Sequence, residues 1–124
     1  MRLAQVRLVT TDVVRLSEFY RRLTLRAPIG SEDYVELQLE GAGIAISSQR
    51  AADLYGANAA TAGRNRSVII DLEVDALDAE RMRLAPLLVD VVLEPVTQPW
   101  GNRAMMFRDP DGNLINLFSR GERQ

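Results

Sequence analysis

Proton transfer in this chain would fall to carboxylates and tyrosine, because it contains no His, no Cys and no Lys; all fifteen of its basic residues are Arg. That composition excludes Schiff-base lysines, Cys or Ser-His nucleophile systems, and phosphate loops that need Gly-Lys-Ser/Thr. It also excludes zinc sites of the Cys/His kind. The candidates that remain are Tyr34, Glu36, Asp71 and Glu73, each of which could equally be a solvated or paired strand residue. Arg7 offers a planar fork for an anionic ligand group. Trp100 and Arg103, on either side of Gly101, offer a flat aromatic contact and a second fork; alternatively, Trp100 packs over an apolar edge. Met105, Met106 and Phe118 would suit either an adaptable pocket or a core.

These residues sit on elements that the sequence pattern marks out. Gln5 to Thr10 aligns with Ile69 to Val74, so that Val6, Leu8 and Thr10 match Ile70, Leu72 and Val74 on one strand face. Gln5, Arg7 and Val9 then share the opposite face, as do Ile69, Asp71 and Glu73 in the second copy. A helix follows each strand. The first is capped by Thr11 or Asp12 and carries Leu16, Phe19, Tyr20 and Leu23 along one stripe. The second runs from about Leu77 to Ala85, capped near Asp75, with Leu77 and Leu84 inward and Pro86 closing it.

Three further strands are predicted in each copy, at Ala27 to Ile29, Tyr34 to Leu39 and Gly43 to Ser48, then at Leu88 to Val96, Arg103 to Arg108 and Leu114 to Phe118. The last two are joined by Asp109-Pro110-Asp111-Gly112, a composition suited to a type I turn in which Asp109 and Asp111 are turn formers. Glu40 to Gly43 has the equivalent place in the first copy. The small, Ala-rich stretch 49–66 is a linker and possible site rim, with a short helical turn near Ala51 to Tyr55.

The chain is long enough for one domain. With 47% hydrophobic and 26% charged residues it has the composition of a soluble globular protein, and a net charge of -2 gives no reason to expect nucleic acid. No apolar run approaches a membrane span and no secretory signal is seen, so the cytoplasm is the expected compartment.

Phe107, Asp109-Pro110-Asp111-Gly112-Asn113 and the apolar strand after it, preceded by Gly101-Asn102-Arg103, resemble the end of vicinal oxygen chelate proteins, the glyoxalase, bleomycin-resistance and extradiol-dioxygenase superfamily. Gln5 to Asp12, followed by Glu18-Phe19-Tyr20, resembles that superfamily's opening strand and helix. The resemblance implies an α+β fold of two tandem βαβββ modules, about 1–48 and 67–120, forming curved mixed sheets around a cup with helices outside. It also implies a homodimer.

In metal-dependent members the cup holds a divalent ion on side chains of the opening and closing strands, and here those positions carry Gln5, Ala45, Ile69 and Asn116. Ala45 and Ile69 cannot ligate, and two neutral amides without a charged donor make a poor site. Asn116 also stands where a carboxylate base is common. On the resemblance, Arg7 and Asp71 hold equivalent places and either pair or leave Arg7 open to an anion, while Trp100 and Arg103 approach the cup mouth.

The reading that follows is a metal-free protein binding a small organic ligand, an antibiotic or metabolite, through Gln5, Arg7, Tyr34, Glu36, Asp71, Trp100, Arg103 and Asn116. One alternative is a metalloenzyme (lyase, isomerase or dioxygenase) with an atypical site built on Gln5 and Asn116, joined by Glu36 or Glu73. Another is a metal-independent enzyme using Tyr34 or a carboxylate.

Overall fold

The computed structural model describes residues 1–120. The chain divides into two compact units, Met1–Arg64 and a second that begins at Asn65. The first contains β1 (Gln5–Thr10), α1 (Val13–Thr24), β2 (Ile29–Gly30), β3 (Tyr34–Leu37), β4 (Gly43–Ser48) and α2 (Gln49–Asp53). The second contains β5 (Ile69–Glu73), α3 (Leu77–Leu84), β6 (Val91–Thr97), β7 (Arg103–Arg108) and β8 (Leu114–Ser119). Each unit therefore has the order βαβββ in an α+β fold, as the sequence predicts. Each sheet is mixed: the orders are β1-β4-β3-β2 and β5-β8-β7-β6, with β1 parallel to β4 and β5 parallel to β8.

In the first unit, α1 forms where the apolar stripe predicts it. The Asp12 side chain accepts from the Arg15 N–H at 3.0 Å, satisfying one of the free donors of the first turn. The helix ends at Leu25, whose left-handed backbone (φ 60°) lets its N–H donate to the Arg21 carbonyl. Leu16, Phe19, Tyr20 and Leu23 are all buried, and α1 packs on β3 and β4. Leu8, Val35, Leu37, Ile44 and Ile46, also buried, lie on the helix-facing side of the sheet. Register places Gln5, Arg7 and Val9 of β1, Gly43, Ala45 and Ser47 of β4, and Tyr34 and Glu36 of β3 together on the other, open face.

In the second unit, α3 buries Leu77 and Leu84, as expected, on a face that includes Met105, Phe107, Ile115 and Leu117. Its N-cap is Ala76, not Asp75, and no side chain caps it. Asp78 in its first turn is instead held by Arg103, with Nε to Oδ2 at 2.7 Å and an Nη to Oδ1 at 3.0 Å. After α3, the N–H groups of Leu87 and Leu88 donate back to the Leu84 carbonyl, and β6 starts at Val91 rather than at Leu88.

The turn between β7 and β8 closes as its residues predict. The Gly112 N–H donates to the Asp109 carbonyl at 2.9 Å, and Gly112 takes φ 89°. Asp109 Oδ1 accepts from the N–H groups of both Asp111 and Asn113, and its Oδ2 accepts from the Asn113 side chain. Asn113 Oδ1 in turn accepts from Asn65 Nδ2, tying the turn to the segment ahead of β5.

Candidate ligand-binding face

The open face of the first sheet is shaped by a contrast in side-chain size. Its inner strand β4 presents only Gly43, Ala45 and Ser47, while the flanking strands present Gln5 and Arg7 on one side and Tyr34 and Glu36 on the other. The large side chains meet above the small ones. Gln5 Nε2 donates to the Tyr34 hydroxyl at 2.8 Å, and that hydroxyl donates to Glu36 Oε2 at 2.6 Å. The Arg7 guanidinium lies 5.1 Å from the Tyr34 ring centroid, within cation–π range. Because β4 runs between β1 and β3, these contacts bridge over Ala45, which is fully buried beneath them. Ser47 is fully buried as well, and its Oγ has no hydrogen-bond partner among the described residues.

Arg7 has a second aromatic neighbour that the sequence did not single out. Tyr55, just after α2, places its ring centroid 5.3 Å from the guanidinium, and its hydroxyl accepts from an Arg7 Nη at 3.3 Å. This hydrogen bond is the leading cause that raises Arg7 above the ordinary arginine range. The segment 49–66 was legible as a possible rim, but no local periodicity marks Tyr55 as the residue that turns back to β1.

Burial, followed by donation to Glu36, holds the Tyr34 phenol above the usual tyrosine range, although Gln5 and Arg7 pull the other way. Tyr34 at neutral pH is accordingly a proton donor fixed on Glu36, not a base. Tyr34 therefore supports folding fully below the unfolded tyrosine pKa, and that support is lost as pH rises towards and through its folded value. The ring resonances of Tyr34 should titrate above those of a model tyrosine. Coincidence with a free tyrosine would contradict this arrangement, and Tyr34→Phe assigns the signal.

On the second sheet, Asp71, Asn116 and Met106 share one row of the open face, and Glu73, Phe118 and Ala104 share the next. Asn116 Nδ2 donates to Asp71 Oδ1 at 3.0 Å. Arg120 pairs with Glu73 at 3.1 Å and lies over the Phe118 ring. Arg7 and Asp71 thus each have local partners. Met105 is on the opposite, helix-facing side and is fully buried, so it belongs to the core while Met106 and Phe118 face the open side.

Two expected site residues are placed elsewhere. Arg103 alternates with Met105 and Phe107 on the helix-facing side, where its fork is engaged by Asp78. Trp100 is 73% exposed at the tip of the β6–β7 hairpin, in a turn closed by Gly101 N–H donating to the Gln98 carbonyl. The structure therefore brings Gln5, Arg7, Tyr34 and Glu36 together on one sheet and Asp71 with Asn116 on the other.

A family model, the Glyoxalase/Bleomycin resistance protein/Dioxygenase superfamily, matches residues 2–117. The chain belongs to this superfamily. Among solved structures it is similar to a glyoxalase/bleomycin resistance protein/dioxygenase family enzyme from Burkholderia phytofirmans PsJN, at 17% identity and a TM-score of 0.85, covering 96% of this chain and 98% of that one. A glyoxalase-related enzyme from Fulvimarina pelagi aligns at 19% identity and 0.82, covering 97% and 88% respectively. TioX from Micromonospora sp. ML1 aligns at 20% and 0.72, covering 97% and 99%. These likenesses establish the fold. No curated protein matches the chain by sequence.

Superfamily membership raises the question of a divalent ion at Gln5, Ala45, Ile69 and Asn116. Ala45 and Ile69 carry no donor atom, which leaves only the neutral amide oxygens of Gln5 and Asn116, while Glu36 accepts from Tyr34 and Glu73 pairs with Arg120. The space above Ala45 is taken by the Gln5–Tyr34–Arg7 bridge, with a guanidinium cation in it. A hard cation needs several oxygen donors, usually including carboxylates, so this donor set does not fit one. Among the described residues no three Asp or Glu side chains converge as a metal site. No described helix is long and apolar enough to cross a membrane.

Proposed function

We propose that this superfamily member binds a small organic ligand on the open face of its first sheet, without a metal ion, and holds it rather than transforming it. The observation that carries this reading is the Arg7–Tyr34–Glu36 cluster above Ala45. It presents a cation, an aromatic wall and a carboxylate where a metalloenzyme would need ligands. Recognition requires complementary groups, and the cluster supplies them. Tyr34, its proton held on Glu36, serves as a wall of the site.

The test is calorimetry of purified protein against antibiotics and small metabolites, run with and without chelator. Saturable 1:1 binding that a chelator leaves unchanged is expected. Binding or turnover that vanishes with chelator and returns with a divalent ion would overturn the metal-free reading.

A further inference from the structure

We propose that Tyr55 is a built-in stand-in for the ligand, and that the ligand is a small aryl carboxylate whose ring and carboxylate replace the Tyr55 ring and hydroxyl on Arg7. This inference rests on the reading of the open face as the ligand site and narrows it to one chemical class.

Arg7 is the starting point. Arg21, Arg50, Arg81, Arg83, Arg103 and Arg120 each pair with a carboxylate. Arg7 instead gives one N–H to a neutral phenol at 3.3 Å and stacks near two tyrosine rings. The nearest functional carboxylate on its face, Glu36, accepts from Tyr34. A guanidinium has five N–H donors in a rigid fork, and a neutral acceptor at that distance uses one of them weakly. A carboxylate would take two at shorter distance, with roughly twice the strength per bond.

Tyr55 is well placed to be exchanged. It is 74% exposed, and the N–H groups of Leu54, Tyr55 and Gly56 bond to the nearby carbonyls of Ala51, Ala52 and Asp53 in a short terminal turn. Its side chain can leave Arg7 by rotating, with the α2 backbone in place. What it offers Arg7, a flat ring bearing an oxygen acceptor, is what an aryl carboxylate offers with a full negative charge. Glu36 across β4 sets the other limit: a second anionic group would meet it in repulsion, whereas a hydroxyl or amine could donate to it. The favoured ligand is therefore a monoanion with a donor group remote from its carboxylate.

Titration calorimetry with 4-hydroxybenzoate, 4-hydroxybenzamide, cyclohexanecarboxylate and benzylamine, paired with amide chemical shifts of Val9 and Ala45, tests this. The aryl carboxylate should bind 1:1 and move both amides, and the amide and the non-aromatic acid should bind at least about tenfold more weakly. Arg7→Gln should weaken binding by about tenfold or more, and Arg7→Lys, which keeps the charge and loses the fork, by several-fold. Tyr55→Ala should tighten it several-fold by removing the competitor. Thermal melts confirm that each variant is folded. Weaker binding in Tyr55→Ala, or equal binding in Arg7→Gln, overturns the proposal. If benzylamine or the benzamide alone binds and moves Val9 and Ala45, the ligand class is wrong while the site stands. If none of these probes nor any of the wider panel moves those amides, both readings fall.

Discussion

Asp109→Ala is expected to lower unfolding free energy by about 2–4 kcal/mol, read as a fall in the urea midpoint without a large change in slope. The Asp109 side chain is buried and accepts from two backbone N–H groups and the Asn113 amide. Alanine would leave these donors without their acceptor, at about 1–3 kcal/mol for each group that water cannot reach. The damage would spread, because Asn113 also holds Asn65, whose Oδ1 accepts from the Val68 N–H just before β5. Asp109→Asn keeps an oxygen for the backbone donors but sets one amide NH2 against another, so a smaller loss is expected. A cost below about 1 kcal/mol for the alanine variant would mean that the turn is held by its backbone alone.

Leu16→Ala should cost about 2–5 kcal/mol, the range for a buried leucine whose removal leaves a cavity. Leu16 is fully buried on the α1 stripe that packs on β3 and β4. Val14→Ala, on the exposed side of the same helix, is the control and should change stability by less than about 0.5 kcal/mol. Since the open face is carried by strands whose reverse side Leu16 helps to cover, the same variant should lose ligand affinity on warming before Val14→Ala does. Equal stability of the two variants in chemical denaturation would show that α1 is not a cornerstone of the first unit.

The parts of the fold legible in the sequence were those specified by neighbours along the chain. The spacing of Leu16, Phe19, Tyr20 and Leu23 sets an amphipathic period, and Asp-Pro-Asp-Gly specifies its own turn. What could not be read was long-range pairing. Nothing local in Arg103 says that it will meet Asp78. Tyr55 was hidden for a similar reason: it lies in a polar linker, and its partner Arg7 is far away in sequence. Met105 and Met106 are chemically alike, and only the strand register decides that one is core and the other faces outward.

The repeat itself conceals an inversion of size. Where the first sheet sets Tyr34 beside Ser47, the second sets Ala104 beside Phe118, so the bulky aromatic moves from the flanking strand to the inner one. The first sheet's pairing of a small inner residue with a large flanking one is thus reversed in the corresponding row of the second.

The parallel pairing of first and last strands also governs when each half of the protein can become itself. Gln5 must wait for Gly43, and Ile69 for Leu114, before either sheet gains its inner strand. Closing such long loops costs entropy before any contact compensates, which slows the step relative to hairpin formation. During synthesis, β1 leaves the ribosome as an unpaired strand and stays so until β4 follows. The first half has all its strands before β5 has been made. Each half therefore has an interval during synthesis in which its first strand lacks its partner in the sheet.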